Sequence, residues 1–163
     1  MTAGPTTIDD LRMIADYQFG AGAGNALFGD PDSLEIRRSK SGRPRQIIGS
    51  AGRVVSLGQD GRFTLGYAGG RQLANTLEDP AYRVRVTAES EPFVRDGDNA
   101  FAKFVASVDP TIRPLDEVLI EDASGDELLG VGRAELSATG MEDFEQGVAV
   151  SVREGRETWE QRR

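Results

Sequence analysis

The chain has 163 residues, of which 38% are hydrophobic and 28% charged, and its formal net charge is -8; that length holds one domain or two small ones. No run approaches the ~20 consecutive apolar residues of a membrane span, and the opening decapeptide lacks the basic and apolar stretches of a secretory signal, so the expected compartment is the cytoplasm. Cysteine and histidine are both absent, which excludes disulfides, thiolate metal sites and the usual proton shuttle of neutral-pH catalysis, so no cofactor is expected.

Thr7 and Asp10 form a capping-box-like pair, and Ile8, Leu11, Ile14, Ala15 and Phe19 then recur at helical spacing. The glycines between Gly20 and Gly24 should weaken or kink that helix, at about 1 kcal/mol each. Asn25 to Phe28 resume it, and Gly29, Asp30 and Pro31 stop it. From Ser33 the period changes to two. Leu34 and Ile36, then Ile47 and Ile48, then Val54, Val55 and Leu57, then Phe63 and Leu65 mark four short strands. Ser41 with Gly42, the segment from Gly49 to Gly52, and Asp60 with Gly61 supply the turns. A short helix is expected from Tyr67 to Leu77.

Glu78, Asp79 and Pro80 mark a boundary. Beyond it, strands are expected at Arg83–Val86, Ala100–Val105, Glu117–Ile120 and Leu128–Leu136, with a last one through Val148, Val150 and Val152. Glu91 to Arg95 reads as one helical turn ended by Asp96 and Gly97, and Met141 to Phe144 as another.

Charge is unevenly placed. Residues 1–81 carry nine acids and nine bases; residues 82–163 carry eighteen acids and ten bases. Lysine occurs only as Lys40 and Lys103. Abundant carboxylates with so little lysine suggest the surface of a protein from a salt-rich cytoplasm, where exposed pairs are strongly screened; an ordinary acidic protein is the alternative. Against this background Arg37, Arg38, Lys40, Arg43 and Arg45 fall within nine residues that hold no acid. They are the clearest electrostatic feature of the chain.

From Tyr82 to Gly155 five segments follow in order: Phe93–Gly97, Asn99–Val105, Arg113–Val118, Gly130–Ala134 and Gly147–Val150. A glycine turn leads into an A-F-A-K strand, then come P-L-D-E-V, G-V-G-R-A and a closing G-V-A-V. This order resembles the PUA domain, a small β-barrel found in pseudouridine synthases and archaeosine transglycosylases. Leu11–Gly20, Gly24–Phe28, Arg43–Arg45 and Phe63–Gly66 are similar to the domain that precedes PUA in archaeosine tRNA-guanine transglycosylase; a related module sits in archaeosine synthase. The catalytic barrel of that transglycosylase, with paired aspartates and zinc ligands of cysteine and histidine, has no counterpart here.

The expected fold is therefore α+β. An N-terminal helix-on-antiparallel-sheet lobe covers residues 1–80, a small PUA β-barrel covers 81–155, and a polar, frayed tail covers 156–163. The resemblance implies a non-catalytic RNA-binding protein, holding tRNA by its acceptor stem or 3′ end in connection with tRNA modification. A subunit of a tRNA-guanine transglycosylase or archaeosine synthase, or a translation-associated PUA factor, are the alternatives.

Two surfaces are candidates for RNA. The first is the hairpin carrying Arg37, Arg38, Lys40, Arg43 and Arg45, because arginine forks match phosphate oxygens; the bland alternative is a solvated loop. On this reading, removing Arg43 and Arg45 together weakens tRNA binding and spares the fold. The second is implied by the PUA resemblance: Gly97 allowing close backbone approach, Asn99 beside it, and Lys103 on phosphate. Phe101 either stacks on a base or fills the barrel, and filling is the commoner fate of an alternating aromatic. Arg133 either faces RNA or pairs with Asp116 or Glu117. The Gly20–Gly24 run follows a helix, so it lacks the strand context of a dinucleotide fingerprint.

Overall fold

Helix formation begins at the expected cap. The Asp10 N–H donates to Thr7 Oγ1 (3.3 Å) and the Asp10 carboxylate accepts the Thr7 N–H (2.9 Å). Helix α1 (Ile8–Phe19) follows and buries Leu11, Ala15 and Phe19. In this computed structural model residues 7–162 are described, and the chain divides into two compact units between Leu77 and Glu78.

The glycine run makes a turn between two helices, not a kink in one. Helix α1 ends at Gly20, and α2 (Ala23–Phe28) begins two residues earlier than expected, after a left-handed Gly22. A Cβ on Gly24 would lie 2.5 Å from the Arg12 carbonyl oxygen, so glycine here lets α2 press against α1. The Asp16 carboxylate accepts the Gly24 N–H (2.7 Å), and Arg12 donates Nε and Nη2 to the Phe28 carbonyl at the end of α2 (3.0 and 2.7 Å). The second bond set satisfies a carbonyl that the helix itself leaves unpaired.

Four antiparallel strands form the expected meander: β1 (Glu35–Arg38), β2 (Pro44–Gly49), β3 (Gly52–Leu57) and β4 (Phe63–Leu65), in the order β1-β2-β3-β4. Ile47, Val55 and Leu65 lie in register and are buried. Gln18 of α1 locks onto β4: its Oε1 accepts the Phe63 N–H (2.7 Å) and its Nε2 donates to the Phe63 carbonyl (2.9 Å). Phe28 meets the Phe63 ring edge-on at 5.6 Å, a favoured aromatic geometry. Helix α3 (Tyr67–Ala74) closes the unit and stops three residues short of the expected Leu77.

The second unit contains β5 (Arg83–Val86), α4 (Glu91–Arg95), β6 (Ala100–Phe101), β7 (Val105–Val108), β8 (Glu117–Asp122), β9 (Leu128–Ala134), α5 (Ala138–Asp143), β10 (Val148–Gly155) and α6 (Arg156–Gln161). The strand order is β6-β10-β9-β8-β5-β7. The single strand expected over Ala100–Val105 is in fact broken by a 3₁₀ turn at Ala102–Phe104. Its two halves pair with opposite ends of the sheet, β6 with β10 and β7 with β5. One continuous segment thereby joins the sheet's two edges, which nearly closes it into a barrel and covers edges that would otherwise be exposed. Val84, Val86, Val118, Ile120, Leu129 and Val150 fill the interior.

The polar tail expected from residue 156 is a docked helix. Trp159 of α6 is only 6% exposed. Thr158 Oγ1 accepts the Gly155 N–H at the helix start (2.9 Å), and Glu127 bridges Arg156 of α6 and Arg95 of α4. The composition of Arg156–Arg163 hid this, because one buried indole among charged residues anchors α6. Among the described residues no helix is long and apolar enough to cross a membrane. Nor do those residues contain a cluster of carboxylates suited to a metal ion.

Candidate nucleic-acid interface

The five cations of the β1–β2 hairpin separate into two groups. Arg43 is half-buried and folded back: its guanidinium donates to the Leu57 carbonyl (3.4 Å) and to the Gly58 carbonyl. It pins the hairpin to the end of β3. Arg38 Nη1 donates to the Gly42 carbonyl of its own turn (2.9 Å) and stays exposed. Arg37 lies 3.7 Å from Glu35, and both side chains are largely in water, so that pair contributes little. Lys40 and Arg45 are exposed and have no ion-pair partner among the described residues.

Arg37, Arg38 and Arg45 line one open groove of about 540 Å³, floored by Gln46, Ser56 and Leu57. Arg37, Gln46 and Ser56 sit opposite one another across three strands, on the face away from Ile47 and Val55. The register shifts between Arg37 and Arg38; a bulge of this kind re-aims a side chain, and here it sends consecutive arginines into the same groove. The groove offers fork donors at its walls and neutral amide and hydroxyl groups at its floor. That suits a chain of phosphates better than a compact metabolite.

In the second unit, α4, the 97–99 loop and the 3₁₀ turn surround a trough of about 520 Å³ lined by Ser90, Phe93, Asp98, Asn99, Phe101 and Phe104. Phe93 is 59% exposed and Phe101 45%. Phe101 does not fill the barrel; Ala100 and Ala102 on either side are buried in its place. The Lys103 ammonium lies 5.0 Å from the Phe104 ring centroid, within cation–π range. A basic group thus stands over the half-buried Phe104 wall of the trough.

Gly97 has φ +93, and a Cβ there would point to Thr158 Cγ2 at 3.5 Å. Its role in this geometry is the turn itself, with its N–H donating to the Val94 carbonyl (2.9 Å). Asn99 Oδ1 accepts the Val152 N–H (3.0 Å) and ties the loop to β10. Arg133 is half-exposed, and its partner is Glu135 (2.9 Å), not Asp116 or Glu117. Glu117 instead takes Arg153 (2.8 Å). The Ser151 hydroxyl and Arg133 together hold the Glu135 carboxyl below the usual carboxylate range. Arg133 therefore presents a compensated charge.

Phe93 and Phe104 escaped the sequence reading. A partial signal for Phe93 was available: adjacent helical positions point about 100° apart, so Phe93 and Val94 cannot both face the core squarely, and only the structure shows that Val94 is the buried one. No comparable signal existed for Phe104, whose position depends on the 3₁₀ turn.

Residues 9–80 match the patch-forming domain C2 of tRNA-guanine transglycosylase, and residues 82–156 match the PUA domain. The tRNA-guanine(15) transglycosylase of Methanothermobacter thermautotrophicus is 46% identical over 155 residues, which is 92% of this chain and 23% of that protein. The enzyme of the same name from Pyrococcus furiosus is 47% identical over 146 residues, 89% of this chain and 24% of its own length. The chain thus spans about a quarter of these relatives. Among solved structures, a hypothetical protein of Pyrococcus horikoshii shares the fold with a TM-score of 0.70 at 17% identity, covering 94% of this chain and 93% of its own. A conserved PUA domain protein of Thermoplasma acidophilum does so with a TM-score of 0.61 at 20% identity, covering 91% and 90%. Along its length the chain is similar to a C2-type patch-forming domain followed by a PUA domain, and it resembles the C-terminal module of the tRNA-guanine(15) transglycosylases.

Proposed function

We propose that this chain is a non-catalytic RNA-binding module that holds tRNA, in the cytoplasm, in connection with its modification. The observation that carries the reading is the trough with exposed Phe93 and Phe101, whose Phe104 wall carries the Lys103 ammonium. Unpaired bases stack on such faces whatever their sequence, while a cation beside them meets the backbone. The groove of Arg37, Arg38 and Arg45 adds a second, purely electrostatic contact. Lys40 and Asn99 belong to the rims of these two surfaces. Arg43, Gly97 and Arg133 support the fold around them. The kinship with tRNA-guanine(15) transglycosylases makes tRNA the natural RNA, with its unpaired 3′ end in the aromatic trough. Residues 1–80 and 81–155 act as separate modules, the second extended by α6.

Filter binding against total tRNA, with and without the 3′ CCA end and at several salt concentrations, tests this. Salt-sensitive retention that weakens when CCA is removed is expected. No retention at the lowest salt where the protein stays folded refutes autonomous binding.

A second reading is a subunit that docks on a transglycosylase or archaeosine synthase and supplies grip on tRNA. The net charge of -8 favours it. It predicts weak tRNA binding alone and strong binding once the enzyme is added.

A further inference from the structure

A third concavity lies in the first unit, built by elements other than the basic hairpin tip. It measures about 190 Å³ and is floored by Leu27, Leu34, Val54 and Ala68. Its walls include the backbone of Gly29, Gly49 and Gly52, where no side chain narrows the opening. Asn25, Asp30, Ser50 and Gln72 stand at its rim and are exposed. It is too small for the ~300–1,000 Å³ typical of drug-sized ligands, and large beside the ~30 Å³ share of one water. An apolar floor under a polar rim is the arrangement that takes a planar heterocycle.

The rim chemistry narrows the occupant. Asn25 and Gln72 each offer an amide donor and an acceptor, and Ser50 offers a hydroxyl. Asp30 Oδ1 accepts the Asp32 N–H (3.2 Å), which leaves Oδ2 for a ligand. A carboxylate repels phosphate and carbonyl oxygens and accepts N–H groups. The ligand is therefore not anionic at the contact and presents N–H donors. Among nucleobases guanine presents two adjacent donors on its Watson–Crick edge, whereas uracil flanks its single N–H with two carbonyls.

We infer that this cleft binds one unpaired nucleobase, guanine before uracil, through the Asp30 carboxylate and the amides of Asn25 and Gln72. The inference rests on the RNA-binding reading and gives the first unit base contact in addition to phosphate contact. RNA is read at splayed-out bases in this way, by their polar edges.

The test is amide NMR of the full chain, titrated separately with guanosine and uridine, on the wild type and on Asp30→Asn and Ser50→Trp. Asparagine keeps an oxygen for the Asp32 N–H, and Ser50 is an exposed turn residue, so both variants should fold; a thermal melt verifies this. Guanosine should shift the Gly49, Gly52 and Gln72 amides saturably and uridine should not. Asp30→Asn should weaken guanosine binding about tenfold or more, as expected for a bond to a charged acceptor, and Ser50→Trp should block it. Unmoved cleft amides, or equal response to both nucleosides, overturn the inference. If tRNA is nonetheless retained on filters, the RNA-binding reading survives that failure. Guanosine in the cleft without tRNA retention leaves a nucleoside site and removes the RNA.

Discussion

Two kinds of substitution should separate the two halves of the proposed RNA contact. Replacing Phe93 and Phe101 by alanine removes two exposed faces, 59% and 45% in water, without emptying a core position. Base stacking on an aromatic side chain contributes about 1–3 kcal/mol per base. If one base stacks on each ring, each single variant should weaken tRNA binding roughly 5- to 150-fold. The dependence of log Kd on log salt should keep its slope, because no cation is lost. Arg45→Ala and Lys103→Ala should do the reverse in one respect: each lowers affinity and flattens the slope by about 0.7–0.9 per lost phosphate contact. The assay is filter binding at five or more salt concentrations, with a thermal melt for each variant. Unchanged affinity in a folded Phe93→Ala, Phe101→Ala double variant would refute the stacking argument. A flattened slope in that variant would show that the rings act by placing cations.

Three further outcomes follow from the same geometry. Arg43→Ala should destabilise the fold by roughly 1–3 kcal/mol, because the Leu57 and Gly58 carbonyls lose their charged donor; urea denaturation reads this, and the double removal of Arg43 and Arg45 should therefore lower stability as well as binding. Trp159→Ala should cost about 3–5 kcal/mol, as for other buried large-to-small changes, checked by the denaturation midpoint against a Gln161→Ala control at the exposed end of α6. Glu135, held low by Ser151 and Arg133, contributes stability that is present above the ordinary carboxylate pKa and lost as pH falls through its lower folded value. Glu135→Gln should accordingly flatten the acid side of the pH–stability curve, and an unchanged acid limb would show that the hydrogen bonds do not hold the charged form.

Local periodicity and turn chemistry determine much of this protein from the sequence alone. The capping pair Thr7 and Asp10, the alternating pairs Leu34 and Ile36, Val55 and Leu57, and Phe63 and Leu65, and the Asp60–Gly61 turn each depend on neighbours a few residues apart, so the first unit's helix and meander were legible. The cationic run was legible too, as a count. What each cation does was decided only in three dimensions, where Arg43 reaches carbonyls fourteen and fifteen residues away while Arg45 faces an open groove. The same holds in the second unit. Nothing within Ala100–Val105 announces a 3₁₀ break, because it arises from barrel closure: β10 captures one half of the segment and β5 the other. That break turns Phe101 outward, brings Phe104 beside Lys103, and opens the trough on which the functional reading depends. Trp159 shows the same limit, since a polar stretch with one indole reads as a frayed tail until a tertiary pocket exists to bury it.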